Sequence, residues 1–265
     1  MKKAEIPEIA QEKYFRVGST LANIPIREED GLTWIDGQQP GYPKFIFDTQ
    51  IKKRDVQHRI ENAIEKIHAG ILPNLWNETP TARPKGLDLY LSRNGFTVAW
   101  VGTGMVLDLK RLSPQPDPPS GYRVLTLTDG TLIEEWAGIV TRELFKQDEE
   151  TAEGFAAYLS KIWHDRRFQL FAAMQDDTLV GTALLFMGDE LAWIGYVAVS
   201  EEHRRRGLGA QLTWHAAARA KDRGMGTVAL HASELGEPVY ARLGFKPVSR
   251  IKRRRLAPEN ISDGD

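Results

Sequence analysis

The chain has 265 residues, carries a formal charge of −1 at pH 7 and contains no cysteine. Its length allows one large domain or two ordinary ones, and its balanced charge supplies no electrostatic reason for nucleic acid or a membrane surface as partner. The lack of cysteine excludes disulfides, thiolate metal sites and a cysteine nucleophile, and no stretch is apolar for long enough to span a bilayer.

Met1-Lys-Lys-Ala-Glu-Ile-Pro has no apolar stretch behind its charges, so a cytoplasmic protein is the expectation. Over 55–69, Val56, Ile60, Ala63, Ile64 and Ile67 share one stripe and Gly70 supplies a stop, which predicts an amphipathic helix. Tyr90-Leu-Ser-Arg-Asn-Gly95-Phe96, followed by apolar residues to Leu109, reads as a helix, a glycine stop and strands. Trp34, Trp76 and Trp100 fit core positions better than the alternative, an amine pocket lined through cation–π contacts. Ser113-Pro-Gln-Pro-Asp-Pro-Pro-Ser-Gly121 can continue neither a helix nor a central strand, and is expected to be a linker over 113–120.

Beyond the linker the pattern predicts a strand over 122–127, helical segments over 132–145 and 150–163, and strands over 168–173, 179–187 and 191–199. A helix opening near Gly207, a strand over 228–233, a short helix around Pro238 and a last strand from Phe245 complete the order. Such alternation implies an α/β arrangement around a mixed sheet. Arg250-Ile-Lys-Arg-Arg-Arg255 follows that last strand and reads as a charged, solvated edge rather than a nucleic-acid patch.

The most informative segment is Tyr196 to Leu212. Tyr196-Val-Ala-Val199 suits a buried strand, and Gly207 and Gly209 open a helix whose apolar stripe runs through Leu208, Leu212 and Ala216. Free N–H groups at a helix start hold phosphate, and residues without a Cβ let a ligand approach the backbone. Neither a Walker loop nor a dinucleotide fingerprint fits the spacing.

Arg204-x-x-Gly207-x-Gly209 after a Val-x-Val strand resembles the coenzyme A pyrophosphate loop of the GCN5-related N-acetyltransferase (GNAT) superfamily. Ser233-x-x-Gly236-x-x-Val239-Tyr240-x-x-x-Gly244-Phe245 is similar to that superfamily's second signature. The resemblance covers residues 121–256 and implies an α+β fold with a mixed, mostly antiparallel sheet flanked by helices. Because Tyr90 to Phe96 echoes Tyr240 to Ile251, residues 1–112 are expected to be a degenerate copy without a cofactor loop, with a polar tail over 257–265.

The resemblance implies that acetyl-CoA is held by the backbone of Val197, Ala198 and Val199, by the loop Arg204, Arg205, Arg206, Gly207, Leu208, Gly209 and Ala210, and by Ser233 and Tyr240. Acetyl transfer by direct attack in a ternary complex, first of all to a small-molecule amine and second to a peptide or protein amine, follows as the expected activity, with no metal and with a homodimer compatible. Tyr240 is the candidate general acid, because a phenol with pKa near 10 stays protonated at neutral pH. Glu190, where a strand begins, and His231, near the end of a strand, are both candidate bases, each with a plain structural alternative. Ser233 stands where many relatives of that superfamily carry asparagine, and can instead close a turn. The rival expectation is a non-catalytic acyl-CoA-binding regulator.

Overall fold

A computed structural model describes residues 2–258; the remainder of the tail expected at 257–265 lies outside the described residues. In chain order the elements are α1 (Ile6–Leu21), β1 (Ile26–Glu29), β2 (Leu32–Asp36), β3 (Lys44–Thr49), α2 (Val56–His68), β4 (Trp76–Glu78) and α3 (Leu87–Arg93). There follow β5 (Phe96–Asp108), β6 (Tyr122–Thr126), α4 (Ile133–Val140), α5 (Glu149–Ile162), β7 (Phe168–Gln175), β8 (Thr178–Met187) and β9 (Ala192–Val199). Last come α6 (Leu208–Asp222), β10 (Thr227–Ala232), α7 (Glu237–Arg242) and β11 (Lys246–Leu256). No helix among the described residues is long and apolar enough to cross a membrane.

The chain forms two compact units. One comprises residues 2–24, 37–43 and 102–249, the other 25–36, 44–101 and 250–258. This differs from the expected division at 112. Helix α1 belongs to the larger unit because Ala10, Tyr14 and Phe15 bury their side chains there, Tyr14 against Phe168, Phe186 and Trp193. The strand β5 passes from one unit to the other at Val101, and β11 does so at Ser249. The proline-rich segment has no regular structure, yet it is bound to α6: Trp214 Nε1 donates to the Ser113 carbonyl at 2.9 Å and Gln211 Nε2 to that of Pro116.

In the larger unit β6, β7, β8 and β9 pair antiparallel in order, β9 pairs parallel with β10, and β10 pairs antiparallel with β5 over Thr103 to Asp108. One sheet face packs on α6, where Leu208, Leu212, Ala216 and Ala217 meet Val180, Leu185, Ile194 and Leu230. Burial of such aliphatic faces contributes roughly 25 cal/mol per Å² of apolar surface removed from water. The helix expected over 132–145 is α4 followed by a π-turn over Thr141–Phe145. Such wide turns recur at functional sites because they re-aim side chains.

The smaller unit has the strand order β1, β2, β3, β4, β11, followed by the first part of β5. Its core holds Trp34 and Trp76, and the stripe Val56, Ile60, Ala63 and Ile67 of α2. Arg250 to Arg255 is not the exposed edge expected: β11 pairs with β4 over Lys252 to Arg254, and buried Arg254 bonds Glu78 at 2.5 Å and Ser92 at 3.0 Å. Arg253 lies over the Trp100 ring at 4.9 Å. A buried guanidinium needs these partners, so the charge run is partly internal structure.

The echo read in the sequence extends further in space. The run β3, α2, β4, α3, β5 repeats as β9, α6, β10, α7, β11. In each, the first two strands are parallel, and the short helix ends at a glycine of positive φ (Gly95 at 83°, Gly244 at 101°) followed by phenylalanine.

Candidate functional site

The site is built where β9 parts from β10. Their parallel register covers Ala192, Trp193 and Ile194 against Val228, Ala229 and Leu230, and goes no further. From Gly195 to Val199 the strand therefore has no partner in β10. On its other side the register against β8 shifts between Thr182 and Leu184, so that Tyr196 and Val197 oppose Ala183 alone. This is a β-bulge, with Tyr196 at φ 53° and its carbonyl accepting the Thr182 hydroxyl at 2.8 Å. A bulged, half-paired strand leaves main-chain donors without ladder partners, the requirement for an oxyanion or amide-binding edge.

The strand delivers its end onto the start of α6. Gly207 is the N-cap at φ 84°, a left-handed conformation that costs a residue with a Cβ roughly 1–2 kcal/mol. The first intrahelical bond runs from Gln211 N–H to the Gly207 carbonyl, so Leu208, Gly209 and Ala210 have no acceptor within the helix, and no side chain caps them. A Cβ built on Gly207 or Gly209 would meet nothing within 4 Å. At Gly209 neither packing nor dihedral angle demands glycine. Open space over an uncapped helix start fits a phosphate group reaching the backbone, so the residues present fit a nucleotide-bearing cofactor.

The arginines before that helix divide. The Arg204 guanidinium is paired with Glu143 of the π-turn and donates through Nε to the Val199 carbonyl at 3.2 Å. Arg206 lies over the Tyr122 ring at 6.0 Å and donates to the Glu202 carbonyl at 3.4 Å. Arg205, exposed and at φ 61°, stands at the turn. Arg204 is thus committed within the fold.

Tyr240 on α7 is 9% exposed and packs with Leu243 and Phe245 beside Leu208 and Leu212. Burial pushes its phenol up to about 12, partly offset by a hydrogen bond with Thr213, so its hydroxyl is not the wet one of a surface tyrosine. Thr213 in turn donates to the Gly209 carbonyl at 2.8 Å, which links the phenol to the helix start. Ser233 closes a turn: its hydroxyl accepts from Gly236 N–H at 3.2 Å.

The two candidate bases fare differently. Glu190 is exposed in the turn before β9, and at about 3.3 Å per residue it stands on the order of 20 Å along the strand from Val197. His231 directly follows Leu230, the last residue paired with Ile194, and its side chain is 5% exposed. It lies where the strands part.

Sequence reasoning missed an aromatic wall on the face opposite α6. Tyr158 donates to Tyr14 at 3.5 Å and Tyr14 to Tyr196 at 3.1 Å, while Trp136, Phe145 and Phe155 surround the Tyr196 ring. Burial raises the phenols of Tyr14 and Tyr158 well above their ordinary value. These residues come from α1, α4, the π-turn after it, α5 and β9, so no local spacing announces them. Among the described residues no group of three or more His, Asp or Glu could hold a metal ion.

Residues 133–245 match the family model of the acetyltransferase (GNAT) family. No curated protein matches the sequence at a significant level. Among solved structures, a GCN5-related N-acetyltransferase from Kribbella flavida is similar at a TM-score of 0.73 and 17% identity, over 99% of each chain. One from Sphaerobacter thermophilus is similar at 0.63 and 15%, over 97% of this chain and 95% of that one. A tandem GNAT protein from the clavulanic acid biosynthesis pathway is similar at 0.57 and 19%, over 86% of this chain and 79% of that one. At these identities the likeness is one of fold.

Proposed function

We propose, from the match of residues 133–245 to the model of the acetyltransferase (GNAT) family, that the protein moves an acetyl group from acetyl-CoA to an amine of a small molecule by direct attack in a ternary complex. The observation that carries this reading is the half-paired, bulged end of β9 running onto the uncapped glycine start of α6. The N–H groups of Leu208, Gly209 and Ala210, with Arg205 and Arg206 beside them, would hold the pyrophosphate. Main-chain groups of Val197 to Val199 would hold the pantetheine arm and face the charge that develops on the acyl oxygen. Bound there, acetyl-CoA supplies an activated acyl group whose sulfur departs as a thiolate.

Tyr240 is the proposed donor to that sulfur. With its phenol at about 12 it remains protonated at neutral pH and keeps a proton to donate to the departing thiolate, whose parent thiol has a pKa of about 8.5. His231, at the parting of β9 and β10, is the proposed base, while Glu190 is set aside because it stands at the other end of β9. The smaller unit is read as a degenerate copy of the fold. Its α2 begins after Lys52-Lys53-Arg54-Asp55 with no glycine at the start, and Trp76 of β4, paired with Ile46 of β3, is fully buried and bonded to Thr49 at 2.9 Å.

Thiol release from acetyl-CoA across a panel of amines tests the reading. Release that requires an amine is the expected result. Binding of acetyl-CoA without release for any amine would replace the enzyme by an acyl-CoA sensor.

A further inference from the structure

Helix α1 buries a carboxylate. Glu8 is 6% exposed, accepts the Ser249 hydroxyl on Oε1 at 3.1 Å, and lies 3.4 Å from His231 Nε2 through the same oxygen. Its other oxygen, Oε2, and His231 Nδ1 are buried with no hydrogen-bond partner. Gly104 stands across from His231 in the β5–β10 register, and a Cβ there would come within 2.1 Å of Ser249 Oγ and 3.0 Å of Pro7 Cγ. The missing side chain is therefore what allows Ser249 and the start of α1 to reach His231.

A buried carboxylate and a buried imidazole, each only half satisfied, are costly, and an apolar pair would pack there at lower cost. Buried polar atoms left without partners at the parting of two strands call for a functional account. The carboxylate also decides the chemistry of its neighbour. A carboxylate facing Nε2 favours the tautomer with its proton there, which leaves the lone pair on Nδ1, the nitrogen without a partner.

We propose that Glu8 is a positioning residue: its carboxylate holds His231 in the Nε2–H form, so that Nδ1 takes the proton lost by the attacking amine. The inference rests on the acetyltransferase reading above. As the amine nitrogen bonds to the acyl carbon, its proton passes to Nδ1. The electron pair of the carbon–sulfur bond leaves with sulfur, which takes the Tyr240 proton. His231 then returns its proton to solvent and Tyr240 regains one, so the balance is amine plus thioester to amide plus thiol. The imidazolium formed meanwhile is paired with Glu8.

The test is steady-state turnover of acetyl-CoA with the best amine of the panel for wild type, Glu8→Gln, Glu8→Asp, His231→Gln and the double variant Glu8→Gln/His231→Gln. Calorimetric binding of CoA to each serves as the check of folding. Glu8→Gln should lower kcat by roughly 10–100-fold with CoA affinity retained, as for other partners that orient a reacting imidazole. Glu8→Asp, which keeps the charge, should recover part of that loss. In the His231→Gln background, Glu8→Gln should cost nothing further, because a residue that acts through another has no effect once that other is gone. A wild-type kcat for Glu8→Gln, or a full additive loss in the double variant, overturns the proposal while leaving acetyl transfer intact. Absence of turnover by the wild-type chain overturns acetyl transfer and this proposal with it.

Discussion

Gly209 offers a way to separate what the fold requires from what the proposed cofactor would require. It has ordinary helical geometry and open space where a Cβ would stand, so replacing it removes no packing and, by helix propensity, favours α6 by up to about 1 kcal/mol. Gly209→Glu should leave the thermal midpoint unchanged or raised, while CoA affinity measured by calorimetry falls by at least roughly tenfold, about 1.4 kcal/mol. Unchanged affinity would remove the helix start from the binding site. At Tyr240 the expectation is a split of another kind. Tyr240→Phe keeps the buried ring, so CoA binding should persist while kcat falls by roughly 10²–10⁴. Because the folded phenol sits at about 12, above the ordinary 10, ionisation of Tyr240 should impose no decline in kcat between pH 7 and about 10. A mutant with wild-type kcat would end the assignment. These residues were legible because their signal is local: glycine spacing at a helix start, and a tyrosine four residues before Gly-Phe. Glu8 was not legible, since it meets His231 across 223 residues of sequence, and neither residue is unusual alone.

Among the elements, the strands of the larger unit were readable from runs of apolar residues, while the bulge in β9 was not. A bulge exists only as a mismatch of register between two strands, here Tyr196 and Val197 against Ala183, and no single segment encodes that. Helix α1 escaped for a related reason: its buried face carries Glu8, Gln11, Gly18 and Ser19 among its apolar residues, which erases the amphipathic stripe. The π-turn after α4 gains its meaning from a tie that is likewise invisible locally. Arg204 joins Glu143 of that turn to the carbonyl at the end of β9, so its guanidinium serves the connection between the β9–α6 loop and the α4–α5 turn. Arg204→Lys cannot keep both bonds from one planar fork. Hydrogen exchange over 141–147 should quicken, because the pair is worth at most about 1 kcal/mol globally but closes a local opening. CoA affinity should change by less than about threefold, whereas Arg206→Ala should weaken it and reduce its salt dependence. A larger loss of affinity for Arg204→Lys than for Arg206→Ala would return Arg204 to the phosphate.

For the molecule as a whole, a proline-rich stretch between two patterned halves argues for contiguous domains, and that inference misjudges where the core closes. Prolines mark where regular structure stops, but they do not say which contacts cross the segment. The larger unit takes in α1 from before the smaller unit's first strand, and the second part of β5. The repeat explains why both halves nonetheless read alike, since each supplies strand, helix, parallel strand, short helix and long strand. This organisation makes a definite claim about dissection. A chain beginning at residue 118 lacks β5, which covers β10 from Thr227 to Ala232, and lacks α1, which shields Trp193, Phe168 and Phe186. It would present an unpaired strand edge beside an uncovered aromatic face, the combination that drives association. Such a fragment should be insoluble or fail to bind CoA, while the full chain should saturate at one equivalent in a calorimetric titration. One equivalent follows because α2 of the smaller unit opens without glycine, so the close approach of a phosphate to its backbone is not provided for as at Gly207 and Gly209. A soluble fragment from residue 118 that binds CoA as the full chain does would show that α1 and β5 are dispensable to the larger unit. Saturation at two equivalents would show that the smaller unit holds cofactor despite a helix start without glycine.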